Sequence, residues 1–431
     1  MVDTIIRQAR VIDSTQDLIA DVAITEGLIT GVLPSITDNA PHEIDASGKV
    51  LLPGGIDPHV HFNDPGRTDW EGIASGSRAL AKGGMTSFFD MPLNASPPTL
   101  TAEAYHAKRQ IADRDSVVNA YLWGGLTPDN LDHLEELLAC GVVGFKAFMS
   151  NSGIDDFASV DDDTLYQGMC TLAPYGAIVA VHAENDTLTA RQAQRAIVQG
   201  HITMRDYLQS RPVIAELEAI QRAILFAQET ECKLHIVHVS SARGVALVTE
   251  ARQCGVDVTC ETCPHYLVLT DADAEELGAV AKCAPPLRSA DEQDALWKAL
   301  LSGDIPIIAS DHSPAPMSLK KGDNFFTIWG GIAGCQSTLS LLITEGYHRR
   351  GMSLQQIVRL TSANTAQRFG LTGKGGITLG MDADLALWDL DASAILQADD
   401  LAYQHRISPY IGRNLYGKVH RIWVGGHVIY G

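Results

Sequence analysis

Short apolar runs, each ending in polar residues, alternate through the middle of the chain with longer stretches of helical periodicity. The runs predict strands at 56–62, 86–91, 117–123, 142–148, 178–182, 234–240, 256–262 and 305–310. Between them, helix-like stretches cover 70–82, 101–114, 131–140, 213–229, 242–254 and 292–301. Regular alternation of strand and helix predicts an α/β fold, a closed parallel (β/α)8 TIM barrel, whose chemistry sits at the C-terminal ends of the strands. Five of these strands lead into candidate ligands: His59 and His61, Lys146, His182, His238, and Asp311 directly after the eighth.

The two ends of the chain follow a different pattern. Short runs at 4–12, 18–25, 28–33 and 43–52 read as strands separated by Gly and Asp turns, and 383–388 and 419–429 resume that style. A small β-sandwich built from 1–52 plus 375–431 beside a barrel of 53–374 accounts for this, with Gly373-Lys374-Gly375-Gly376 marking the crossing. No internal repeat or low-complexity tract interrupts the plan.

Composition narrows the function classes. A chain of 431 residues, 45% hydrophobic and 19% charged, can bury a large core. Fifty-two acidic against 32 basic residues leave a net charge of −20, which disfavours nucleic acid and anionic membranes as partners. No apolar run is long enough to span a bilayer, and the start of the chain lacks the basic and apolar regions of a secretory signal, so the expected location is cytoplasmic. Eight cysteines without regular spacing read as buried thiols of a reducing compartment. Cys260-Glu261-Thr262-Cys263 has no second CxxC and is read the same way, and His265 just beyond it is left out of the ligand set.

Strand geometry sharpens the candidate chemistry. In His59-Val60-His61 alternate residues share a face, so two imidazoles converge on one point. On 234–240, His235 and His238 are three apart and are expected on opposite faces; His238 is nearer the C-terminal end and is assigned to the barrel interior, His235 to packing or to the helix side. Four histidines and one aspartate exceed the needs of one tetrahedral ion, whereas two ions about 3.5–4 Å apart use them all. Lys146 is the candidate bridge. An ammonium with a pKa near about 10.4 is a poor neighbour for two dications, but its carbamate with carbon dioxide is an anionic bidentate ligand. A lysine paired with Asp311 or Glu184, or a Schiff-base lysine, remains the alternative.

The motifs His59-Val60-His61, Gly144-Phe145-Lys146, Val181-His182-Ala183-Glu184-Asn185, His238-Val239-Ser240-Ser241 and Ser310-Asp311-His312-Ser313 resemble the cyclic amidohydrolases of the amidohydrolase superfamily. The resemblance runs from Asp45-Ala46-Ser47-Gly48-Lys49-Val50 to Gly425-Gly426. It implies His59, His61, carboxylated Lys146 (N6-carboxylysine) and Asp311 on one metal, and Lys146, His182 and His238 on the other. Within the group, Asn63-Asp64-Pro65-Gly66-Arg67, Asp90-Met91-Pro92-Leu93-Asn94, Lys282-Cys283-Ala284-Pro285-Pro286, Trp329-Gly330-Gly331 and Ser408-Pro409-Tyr410 are similar to the allantoinase branch. Dihydroorotases generally carry a carboxylate-binding arginine where this chain has Asn63, which suits the uncharged ureidohydantoin of allantoin. Ala284 stands where many relatives have serine.

These residues imply a mechanism. A hydroxide bridging two dications is available near neutral pH because metal binding lowers the pKa of water towards about 7. Asp311 is the expected proton acceptor, returning the proton to the departing ring nitrogen as allantoin opens to allantoate. Asn94 and Ser313 are expected to bind the hydantoin or ureido group through their side chains, and Ala284 and Gly331 through the backbone. Zinc is the first-choice metal, with manganese, iron and cobalt accepted by the same ligands. The resemblance also implies a homotetramer. Residues 150–164 read as either a lid or a solvated loop, Arg67, Trp70 and Glu71 as packing of the first loop, and Trp329 as pocket wall. The alternatives are a hydantoinase or dihydropyrimidinase-type cyclic amide hydrolase, or a non-catalytic scaffold of the same fold.

Overall fold

The computed structural model describes residues 2–431; Met1, with which the expected segment 1–52 begins, lies outside the described residues. Both chain ends contribute to one sheet. Along it run His427–Tyr430, Asn414–Val424, Leu385–Ile395, Val50–Pro53, Thr4–Ile12, Asp17–Thr25 and Leu28–Leu33, with His42–Asp45 pairing alongside Thr4–Ile12. The single strand expected over 43–52 is therefore two strands. They are separated at Gly48 (φ 74°), where Asp45 accepts hydrogen bonds from the Ser47 backbone and hydroxyl and turns the chain. Alternation then divides the side chains between two cores. Leu51, Leu385 and Leu387 join Ile6, Val11, Val22 and Trp423 in a core enclosed by the sheet itself, whereas Val50, Leu52, Ala386 and Trp388 face the barrel's core.

The barrel strands are all parallel. Gly55–Val60, Met85–Asp90 and Asn119–Leu122 pair in that order, and Gly124–Gly125, Phe145–Phe148, Ile178–His182, Lys233–Ile236, Val258–Thr262 and Ile307–Ile308 continue the circuit. A parallel bridge between Val60 and His312 closes it. The helices Ile73–Lys82, Ala102–Asp115, Leu134–Cys140, Val213–Thr230, Ala242–Gln253 and Ala290–Ser302 fall where apolar periodicity predicts them. No helix among the described residues is long and apolar enough to cross a membrane.

Several strands are shorter than expected, the eighth being reduced to Ile307–Ile308, and one of the shortenings has consequences for the site. The run at 234–240 ends as a strand at Ile236, and His238 takes φ 38° in the left-handed region. Asn63 (69°), Asn94 (66°) and Asp311 (47°) share that unusual conformation. Non-glycine residues there are uncommon, and such strain concentrates at functional sites.

Candidate active site

The expected ligands gather at one end of the barrel. The closing bridge draws the first and eighth strands together, and the His61 amide donates to His312 O at 2.8 Å. As a result His59 Nε2 and His61 Nε2 lie 3.2 and 3.3 Å from the same Asp311 Oδ1. These three buried donors lie within 4.8 Å of one another, a grouping able to hold a metal ion. A second pair stands beside them: His182 Nδ1 is 3.1 Å from His238 Nε2, and the His238 ring is 5.3 Å from that of His59.

Lys146, on Phe145–Phe148, is fully buried, and its Nζ has no hydrogen-bond partner among the described residues. It lies 5.0 Å over the Phe148 ring, which stacks on His182 at 4.7 Å. Pairing with Glu184 or Asp311 is not what the structure contains. Glu184 accepts from Arg211 and His182, and Asp311 faces the two histidines. Burial pushes the Lys146 ammonium down to about 7, against the opposing pull of Asp311 and Glu261.

His235 departs from its expected place. The strand ends before His238, so alternation does not carry from one histidine to the other, and His235 also points into the barrel. Its Nδ1 is 2.8 Å from Thr259 Oγ1 and its Nε2 is 3.1 Å from Glu261 Oε2. Glu261 Oε1 is 2.6 Å from His59 Nδ1. Sequence reasoning passed over Glu261 as part of a cysteine motif; a glutamate inside an apolar strand run is itself a signal, since such a group is rarely buried without partners. Burial pushes its carboxyl up to about 8. Asp57 was also missed. Its Oδ1 accepts from the amides of His59 and Ser310 at 3.3 and 3.0 Å, tying the first strand to the eighth, and burial lifts its carboxyl to about 7.

Above this floor opens a cavity of 460 Å³, lined by His59, His61, His182, His238 and Asp311, with Asn94, Ser313, Ala284 and Gly331 on its walls. Lys146 lies outside the lining. Arg211 and Lys282 bring positive charge to the wall, but Arg211 is held by Glu184 and Lys282 donates to Ile328 O. Asn151, Ser152 and Gly153 reach the cavity from 150–164, a segment fastened by Asn151 N to Asp186 (3.0 Å) and by Phe157 buried against Phe148. Arg67 donates to Asn94 O at 2.9 Å, Trp70 packs edge-on to Trp329, and Glu71 accepts from the Gln404 amide. His265 is buried with both ring nitrogens unpartnered among the described residues, and burial lowers its pKa to about 4. Cys260 and Cys263 are buried free thiols.

Comparison with known proteins places this geometry. Residues 50–429 match the amidohydrolase family. The chain is 54% identical to an allantoinase of Rubrobacter xylanophilus over 96% of this chain and 91% of that protein. It is 50% identical to an allantoinase of Solibacter usitatus over 100% of this chain and 94% of the relative. Among solved structures, an L-hydantoinase (dihydropyrimidinase) from Arthrobacter aurescens superposes with a TM-score of 0.97 at 34% identity, covering 100% of this chain and 96% of that one. A dihydropyrimidinase from Brevibacillus agri gives 0.92 at 30% identity, covering 100% and 95%.

Proposed function

The chain belongs to the amidohydrolase family, and we infer from that membership that it is a hydrolase of cyclic amides that opens the hydantoin ring of allantoin to give allantoate. The observation that carries the chemistry is the convergence of four histidines and Asp311 on the floor of one cavity. The choice of allantoin among cyclic amides rests on the identity to allantoinases along nearly the whole chain.

The free donor atoms suit two divalent ions, with zinc the first choice and manganese, iron or cobalt compatible with the same ligands. His59 Nε2, His61 Nε2 and Asp311 Oδ1 would hold one, and His182 Nδ1 and His238 Nε2 the other. Lys146 is buried with its Nζ over the Phe148 ring and without a partner among the described residues, which fits an N6-carboxylysine that would serve as an anionic ligand to the ions. Bound there, the ions supply Lewis acidity and bring the pKa of a water down from about 15.7 towards 7.

The chain's own groups do the rest. Asp311 takes the proton of the attacking water as its oxygen bonds to the ring carbonyl carbon, and delivers it to the ring nitrogen as the carbon–nitrogen bond breaks. Asn94 and Ser313 bind the hydantoin or ureido group from the wall, and the backbone at Ala284 and Gly331 holds the remaining amide edge. Asn63 leaves no cation at its position, and the wall's Arg211 and Lys282 are engaged by protein groups, as an uncharged ring requires. The enzyme is proposed to work in the cytoplasm as a homotetramer, a state that light scattering tests.

Steady-state rates on allantoin, hydantoin, dihydrouracil and dihydroorotate decide the substrate. Preference for allantoin is expected. Negligible allantoin turnover beside brisk hydantoin turnover would favour the second reading, a hydantoinase, which the 0.97 structural match keeps in view.

A further inference from the structure

We propose that Glu261 is a positioning residue that fixes His59 for metal binding, and that His235 and Thr259 hold Glu261 in turn. The inference rests on the two-ion reading above and adds the part of the barrel interior that lies beneath the ligands. Only one ring nitrogen of His59 can face the ion. Nε2 points at Asp311 Oδ1 and must keep its lone pair for the ion, whose charge keeps Glu261 ionised, so Nδ1, 2.6 Å from Glu261 Oε1, carries the proton and donates it. The other carboxylate oxygen, Oε2, is 3.1 Å from His235 Nε2. For that nitrogen to donate, His235 Nδ1 must accept, and the Thr259 hydroxyl stands 2.8 Å away to supply the bond.

Every donor in the row therefore has a single direction: Thr259 hydroxyl to His235, His235 to Glu261, His59 to Glu261, and His59 Nε2 left as a lone pair for the metal. Histidine ligands are commonly oriented in this way by a carboxylate on the second ring nitrogen, which fixes the tautomer and raises the ligand's basicity. Here the carboxylate is itself oriented by a second histidine. Glu261, His59 and His235 are each buried, so water cannot replace the carboxylate or either histidine, whereas Thr259 at the end of the row is half-buried. His61 has no such partner among the described residues: its Nδ1 is buried without a hydrogen bond. The two histidines of the HxH pair are thus unequal, and the ion's position is set through His59.

The test uses zinc binding to metal-free full-length protein, measured by competition with a chromophoric chelator, beside the melting temperature with and without zinc. Wild type is expected to bind two equivalents; failure here would count against the two-ion reading itself. Glu261→Gln keeps the shape and one acceptor oxygen but loses the charge. It is expected to melt close to wild type without zinc, yet to bind zinc at the His59 side about 10–100-fold more weakly, the usual cost of losing such a partner. Its zinc-induced rise in melting temperature shrinks accordingly. His235→Gln, which leaves the Glu261–His59 contact in place, is expected to weaken that site by less. Wild-type zinc affinity in both Glu261→Gln and His235→Gln overturns the proposal, as does an equal loss of melting temperature with and without zinc, which marks a merely structural role.

Discussion

Replacing Arg211 with methionine tests how the second pair of histidines is held. Arg211 donates to both oxygens of Glu184, from Nε at 3.1 Å to each, and Glu184 accepts from His182 Nε2 at 2.8 Å. Glu184 is fully buried, and burial alone would drive its carboxyl up. Arg211 and His182 override that and hold it at about 2 against an ordinary 4.5. At about 1.36 kcal/mol per pH unit, that difference is worth roughly 3 kcal/mol. Removing one partner of a buried ion pair costs about 3–5 kcal/mol by experience, in agreement. Methionine matches the aliphatic stem of the arginine and removes the guanidinium, whose carbon lies 6.0 Å from the centre of the Tyr207 ring, so the change is chiefly electrostatic. Unfolding entropy of about 2.1 cal/mol/K per residue over 431 residues makes each kcal/mol worth about 1 °C, so calorimetry at pH 7 should find a loss of about 3–5 °C.

The sign of the pH dependence makes this reasoning refutable. In the wild type the depressed carboxyl contributes stability that is present above about pH 4.5 and is lost as pH falls towards 2. In Arg211→Met desolvation outweighs what His182 alone supplies, the folded-state carboxyl moves above its unfolded value, and stability falls as pH rises beyond about 4.5. The gap between the two proteins should therefore widen with pH. A constant offset across pH 5–8, or none, would refute the account.

Three other outcomes are expected. Lys146→Ala should lose more activity than the roughly 10–100-fold typical of an outer partner, with partial rescue by short-chain carboxylic acids, and an unimpaired enzyme would end the carbamate role. Asp311→Asn should lower kcat by about 10²–10⁴-fold if the carboxylate moves the proton, checked by steady-state kinetics on metal-saturated protein. Lys108, buried with Asp90 at 2.7 Å, should cost about 3–5 kcal/mol when changed to methionine, read by calorimetry, because Asp90 is left charged without its partner while still accepting from the Phe62 amide.

The barrel was legible because its strands are buried on both faces and so appear as continuous apolar runs, with the ligands as polar stops. Elements with little burial were less visible. Asp186–Val198 forms a rim helix whose buried residue is Thr189, too little apolar surface to set a period, and it escaped notice. The ligand residues of the site could be named because each sits beside a local motif. Their partners could not, since Glu261 finds His59 from 202 residues away and Asp57 finds Ser310 from 253.

His235 shows where local reasoning breaks. Parity is sound within a strand, but the hydrophobic run at 234–240 gives no sign that the strand stops at Ile236 or that His238 turns into the left-handed region. Both facts arise because the chain must leave the sheet to present His238 to His182. The same demand explains why Asn63, Asn94 and Asp311 share that conformation. A ring of loops that must aim side chains inwards at one point cannot all keep relaxed backbones, and the surrounding barrel is rigid enough to hold the strain. Asn, Asp and His are residue types enriched in the left-handed region, so these positions were open to the chain without recourse to glycine, whose lack of a side chain would have left nothing to aim.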